Sequence, residues 1–274
     1  MTARALSIPR TALVIVMAIP FVAPFLYLIA TALRTRDDYI GSRVGFPQEL
    51  TLSHVRYVWN TADLGRAMVN SLITSTIAVA VLILVSAMAG YWFLRHTSWM
   101  ARVLLGLIVS LWVIPFVIYL LPLFVILSDA GLTDNLAVLG VVYAATNLPF
   151  GVFFMFTYLR NGIPSDVFEA AQVDGASTFR EFFWIVLPLS RPALATLAAL
   201  GFVWTWGDLL LSLVMLQTED NYTLTVAASA FITRTDAGVQ ELAAAALVAI
   251  APLIVVFLLA QRAIERGFVA GVGK

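Results

Sequence analysis

Residues 72–94 read LITSTIAVAVLILVSAMAGYWFL, a run without one charged side chain. About 20 mostly apolar residues let a helix cross the hydrocarbon core of a bilayer, so this run spans one unaided. Five other segments meet the same requirement: 11–33, 103–127, 136–159, 193–216 and 242–260. The expected fold is an all-α, polytopic membrane protein with six crossings, a single domain over residues 1–274. Pro20, Pro24, Pro115, Pro122, Pro149 and Pro252 fall inside these runs. Neighbouring helices in a bundle can satisfy the carbonyls that a proline frees, so kinks are expected there.

Composition agrees. Of the 274 residues, 61% are hydrophobic and 12% are charged, with a mean hydropathy of +0.95. A soluble domain carries roughly 25% charged residues, so half of that surface charge is missing and lipid takes its place. The net charge of zero gives no case for a nucleic-acid partner. Cysteine is absent, which excludes disulfides, thiolate metal sites and cysteine nucleophiles. His54 and His96 stand alone in the sequence, so neither is assigned a metal or acid–base role.

The first run has a rival reading as a signal peptide, with Arg4 and Arg10 ahead of it and Ala30-Thr31-Ala32 as a cleavage-like site. The apolar core of a signal peptide covers roughly 7–15 residues; this run is longer and reads as a retained helix. Orientation follows from the placement of Arg and Lys. With the N-terminus inside, ten fall on inner segments, among them Arg95, Arg102, Arg160, Arg180, Arg191, Arg262, Arg266 and Lys274. Six fall outside, five of them in residues 34–69 and the sixth at Arg234. Both termini are therefore expected in the cytoplasm.

The inner connection over residues 160–191 is too polar for the membrane and too patterned for a passive linker. Ser165 is expected to cap a helix whose first turn holds Asp166 and Glu169, facing the positive end of the helix dipole. Gly175 permits a sharp bend. Ser177 or Thr178 then caps a second short helix, which Leu187-Pro188 is expected to stop after Val186. Phe168, Ala171, Phe179, Phe182 and Phe183 give this helix–turn–helix more apolar surface than a solvated loop exposes, as at a protein interface.

Glu169-Ala170-Ala171, then Gly175, then Ile185, Leu187 and Pro188 resemble the EAA loop of ABC importer permeases at full spacing. The flanking Asp174-Gly175-Ala176 and Leu187–Pro192 segments look like the carbohydrate branch, of the six-span maltose-permease (MalG-like) type. Asn70-Ser71-Leu72, Arg160–Pro164 and Gln261-Arg262 with Gly267 and Gly271 extend the resemblance over nearly the whole chain. It implies a division of labour. The loop would be a coupling helix docked in a cleft of a separate cytoplasmic ATPase, with Glu169 pairing with a basic side chain there. Ala170 and Ala171 would allow close approach, and Gly175 would set the turn. A plainer reading of Glu169, Asp166 and Asp174 is that these acids only cap or solvate a helix. The family also implies a second permease subunit, two copies of the ATPase and an extracytoplasmic sugar-binding protein. This chain would then bind no cofactor, ATP and Mg being used by the partner. A P-loop needs G-x-x-x-x-G-K-[ST]; before Gly273-Lys274, Phe268 stands where the first Gly belongs.

Asp208 is the charged side chain set well inside a run, about 22 Å along a helix begun at Ala193, at 1.5 Å per residue. Such residues usually face the bundle interior. Trp204 and Trp206 beside a carboxylate suit a sugar, which offers C–H faces and hydroxyls; equally, Asp208 could hold helices together and the tryptophans could simply pack. Gly207 stands where related permeases often carry Asn. Thr146 and Asn147, just before Pro149, are further candidates for the substrate route. Residues 217–240 are long enough to leave the membrane, and the resemblance implies that Tyr222, Thr223 and Phe231 reach a binding protein; a solvated loop is the alternative. An ion-coupled carrier would need several intramembrane ionisable groups and inverted repeats, and no catalytic set can be assembled for an enzyme. A non-carbohydrate solute remains the other option within the importer class.

Overall fold

The computed structural model describes residues 8–45 and 47–272, with side chains for 13–45 and 47–261. Arg4, Arg10, Arg262, Arg266, Phe268 and Lys274, used above to read topology and motifs, lie outside the residues whose side chains are described. The described chain is helical, and its one β contact is an isolated bridge between Arg34 and Leu50. It divides into two compact units. One runs to Gly65 and includes Ala227–Ala251; the other holds Arg66–Val226 and the stretch from Pro252.

In the first unit, α1 (Ile8–Ala32) is followed by α2 (Arg36–Gly41) and α3 (Ser53–Thr61). Arg34 organises the connection. Its buried guanidinium donates to the carbonyl oxygens of Ser42, at 2.6 Å, and Gly45. It also pairs with Asp38 at 3.4 Å, whose carboxylate accepts from the Gln48 amide at 2.9 Å. His54 is not isolated once folded: its Nδ1 lies 2.8 Å from Glu241 Oε1.

The second unit is built on α4 (Leu64–Arg95), joined to α5 (Trp99–Leu111), α6 (Phe116–Asp129) and α7 (Leu136–Gly162). Ser98 caps α5 through the Ala101 amide at 3.2 Å, and Asn135 caps α7 through Ala137 and Val138. Then come α8 (Ser165–Val173), α9 (Thr178–Glu181), a π-helical turn over Phe182–Val186, α10 (Leu187–Leu189) and α11 (Arg191–Trp206). The short α12 (Leu210–Met215) leads to α13 (Leu224–Arg234), and α14 (Val239–Val272) closes the chain. Two glycines let α4 and α7 touch. A Cβ on Gly90 would lie 2.8 Å from Met155 Cβ, and one on Gly140 2.9 Å from Ile77 Cβ. Small residues of this kind let helix backbones approach closely in lipid.

Helices α4 and α7, and the parts Leu13–Ala32 of α1 and Val239–Gln261 of α14, are each long and apolar enough to cross a membrane. The third and fifth expected crossings are not straight. Helices α5 and α6 meet at 93°, and Thr178–Leu189 meets α11 at 72°; counted as one span each, they bring the total to six. Pro115 sits at the first break, where it N-terminally flanks α6. At the second, Ser190 lies between Pro188 and Pro192, and the Leu189 carbonyl accepts from the Tyr158 hydroxyl at 3.2 Å. Pro20, Pro24, Pro122, Pro149 and Pro252 stay inside continuous helices.

Gly90→Val should disturb the contact with α7, at about 1–3 kcal/mol for overpacking. Thermal unfolding in detergent should therefore shift down by several degrees. Gly106→Val, where nothing lies within 4 Å of the added Cβ, should leave the midpoint unchanged.

Candidate functional site

The elbow between α7 and α11 is built from caps. Ser165 does not cap α8: Pro164 occupies that position, and the Ser165 hydroxyl instead contacts Asp166 at 3.3 Å. The far end closes as the sequence expects. Gly175 has φ +71°, and it follows the C-cap residue Asp174. The Gly175 amide donates to Gln172 O at 3.0 Å and the Ala176 amide to Ala171 O at 2.9 Å, the paired bonds of a Schellman motif. Ser177 caps α9 through the Arg180 amide at 3.3 Å. Pro188 does not stop the second arm, which runs on through the π turn to Leu189.

These caps sort the loop's side chains. Phe168, Phe182 and Val186 are buried with Met155, Tyr158, Leu159 and Leu197, and Ala171 is buried as well, so three of the five apolar residues expected at an interface are core. What faces out is Glu169, Ala170, Asp174, Phe179 and Phe183, joined by Val173 and Trp184, which the sequence reading had not singled out. Ile185 and Leu187 are half-buried and Pro188 is exposed. Glu169 has no ion-pair partner among the described residues.

The second candidate region is a cavity of about 320 Å³. It is walled by Trp112, Phe116, Tyr119, Tyr143 and Trp204, with Thr146, Asn147 and Asp208 as polar members. Asp208 does not sit in a continuous helix. It lies in the break between α11 and α12, where its Oδ1 accepts from the Leu211 amide at 2.9 Å and the Ser212 amide at 3.4 Å. The Tyr143 hydroxyl, 2.7 Å from Asp208 Oδ1, is also 2.7 Å from Ser212 Oγ. Asp208 therefore has a partner that sequence reading missed. The signal was present: Tyr143 precedes Thr146 and Asn147 by three and four positions, the spacing that shares a helix face. Its carbonyl takes bonds from both, at 2.9 and 2.8 Å. All these contacts to the carboxylate use Oδ1, which leaves Oδ2 with no partner among the described residues. Trp206 is not in the cavity wall; it is buried and stacked on Phe202 at 5.1 Å.

The segment 217–240 is not a solvated loop. Five of the eleven residues of α13 are buried, Phe231 among them; Thr223, just before the helix, is buried too, and Tyr222 is half-buried. Of the three residues expected to reach outward, only Tyr222 keeps an exposed part. The 217–224 stretch is held from two sides. Asn70 Nδ2 donates to the Asp220 and Tyr222 carbonyls at 2.8 and 3.0 Å, and Ser71 Oγ accepts from the Leu224 amide at 2.8 Å. Asp134, at φ +57°, accepts from the Gln217 and Thr218 amides at 2.9 and 3.1 Å and from the Thr218 hydroxyl at 2.8 Å.

With this geometry in place, comparison with known proteins assigns the family. Residues 82–269 match the model of the binding-protein-dependent transport system inner membrane component. The chain belongs to that family. As a member it is a membrane permease subunit of an ATP-binding-cassette importer. The melibiose/raffinose/stachyose import permease protein MelC of Bacillus subtilis is 31% identical over 264 residues, covering 96% of this chain and 94% of MelC. The fold matches a bacterial ABC transporter that imports the acidic polysaccharide alginate, with TM-score 0.76 and 20% identity over 93% of this chain and 95% of the other. An alginate transporter in complex with its pentasaccharide-bound periplasmic protein matches at TM-score 0.62 and 17% identity, over 93% and 94%.

The Asp134 clasp is pH-sensitive. Partial burial opposes its charge, but the bonds from Gln217, Thr218 and Asn221 outweigh that and hold the carboxyl below its ordinary value of 3.8. A depressed folded-state pKa stabilises above the ordinary value and is lost as pH falls through the folded one. Protease nicking of residues 217–222 should thus stay slow from pH 7 to about pH 4 and quicken below it. Asp134→Ala should nick rapidly throughout.

Proposed function

We propose that this permease moves a sugar or sugar derivative inward across the bacterial inner membrane, by alternating access between its two faces. On this reading both termini lie in the cytoplasm, as the distribution of Arg and Lys argues, with the elbow inside and the 217–224 stretch outside. The observation that carries the sugar reading is the cavity: aromatic walls for C–H faces, and a carboxylate oxygen, an amide and a hydroxyl for ring hydroxyls. The names of the relatives point the same way. Asp208, Trp204, Thr146 and Asn147 line the route, together with Tyr143 and Trp112.

The chain carries no motor, so ATP hydrolysis, with its Mg, belongs to two copies of a cytoplasmic ATPase. Their cleft would receive α8, where Glu169 presents a carboxylate unpaired among the described residues, beside the small Ala170 and the turn at Gly175. A second permease subunit completes the pore, and an extracytoplasmic binding protein delivers cargo to the outer surface near Tyr222.

Asp208→Asn tests the route while sparing the fold, because Asn caps a helix nearly as well as Asp. Losing a charged acceptor for a sugar hydroxyl costs about 1.5–3 kcal/mol, so the half-saturating concentration in vesicle uptake should rise roughly tenfold or more. Unaltered uptake and unaltered preference among saccharides would remove Asp208 from the route. Glu169→Lys should abolish the stimulation of ATP hydrolysis by loaded binding protein while the permease still inserts; undiminished stimulation excludes Glu169 from coupling.

A further inference from the structure

Behind the exposed face of the elbow lies a charge that the coupling scheme above does not use. Glu181, the last residue of α9, is fully buried, and neither of its carboxylate oxygens accepts a well-formed hydrogen bond. Its one counter-charge among the described residues is Arg95, the last residue of α4, whose Nη2 stands 3.3 Å from Glu181 Oε2. The same guanidinium reaches the other arm. Gln172, in α8, with its amide turned so that the oxygen faces the guanidinium, accepts from Arg95 Nη1 at 2.7 Å and from Nη2 at 3.0 Å. Tyr91, one turn back on α4, donates to the Thr178 carbonyl at 3.5 Å and packs on Phe182 with ring centroids 5.5 Å apart.

We propose that Arg95 is a positioning residue that ties both arms of the elbow to the end of α4, so that displacement of the elbow by the ATPase is delivered to α4. The chemistry favours a tie over a surface contact. A guanidinium carries its donors in a rigid fork and can hold two acceptors at fixed angles, which an ammonium cannot. A carboxylate with no access to water and no other counter-charge does not readily let its cation go, since separation leaves a buried charge unanswered. The link therefore stays closed while the elbow moves, and α8, α9 and the α4 terminus move together. Helix α4 in turn meets α7 at Gly90 and Gly140 with no room for an added Cβ, so motion entering at Arg95 passes to the helix that carries Tyr143, Thr146 and Asn147.

This inference rests on the reading of the elbow as the ATPase dock, and the test separates the two. The full complex, with partner permease and ATPase, is reconstituted with loaded binding protein. Three quantities are read: ATPase co-purified, hydrolysis stimulated, and sugar taken up per ATP. Arg95→Lys keeps the charge and loses the fork; Glu181→Gln keeps the shape and loses the charge. Both should retain the ATPase, yet uptake per ATP should fall about tenfold, a typical coupling loss. Arg95→Glu combined with Glu181→Arg should recover most of it. Parental uptake per ATP in both single variants overturns the tie, as does loss of bound ATPase, which would make the pair part of the dock. Normal stimulation in Glu169→Lys would instead overturn the docking reading beneath it.

Discussion

Inside a bilayer there is no water to receive an unpaired backbone N–H, and each one left over costs several kcal/mol. A helix that stops and restarts in such surroundings exposes donors at the restart. The second unit solves this at the α11–α12 junction with one oxygen of Asp208, which collects two amides and the Tyr143 hydroxyl. The break, the cavity beside it and the anchoring of α7 to α12 all depend on that oxygen. The Thr225 hydroxyl donating to the Asp208 carbonyl at 2.8 Å ties the start of α13 to the same junction.

The rest of the second unit divides into a stiff part and a shaped part. Glycine contacts between α4 and α7 leave little room for sliding, since one added carbon at Gly90 or Gly140 meets its neighbour below 3 Å. The elbow is stiff for another reason. A Schellman turn, a serine cap and a buried ion pair fix its two arms within a stretch too short to hold a core of its own, and Phe168, Phe182 and Val186 borrow one from α4, α7 and α11. The shaped part is the 93° bend between α5 and α6, whose Trp112, Pro115 and Phe116 line the cavity.

Much of this was legible beforehand. Apolar runs locate crossings because length and lack of charge are local properties, and Gly175 announces its turn because a residue with a Cβ is strained at positive φ. The elbow's spacing likewise survives folding. Less legible was everything decided between segments. Sequence placed Asp208 within a helix; the break around it depends on Tyr143, 65 residues away. Trp206 looked equivalent to Trp204, yet the turn of α11 sends one to Phe202 and the other to the cavity. The stretch containing Thr223 and Phe231 read as a loop long enough to leave the membrane, whereas its apolar residues fold into α13. Ser165 and Pro188 had the right residue types for a cap and a stop, but the first lost the cap position to Pro164, and the second lies in an arm that carries on past it, after a π turn, to Leu189.

Asp208 has a consequence for how such a permease changes its diet. One oxygen is committed to architecture and the other is left for cargo, so replacements lacking an acceptor would undo the junction before they altered what is carried. Adaptation to a new cargo is therefore steered toward the surrounding rings, Trp112, Tyr119 and Trp204, which shape the chamber without pinning a helix end. Divergent descendants of this chain should vary there first and keep an Asp or Asn at the junction.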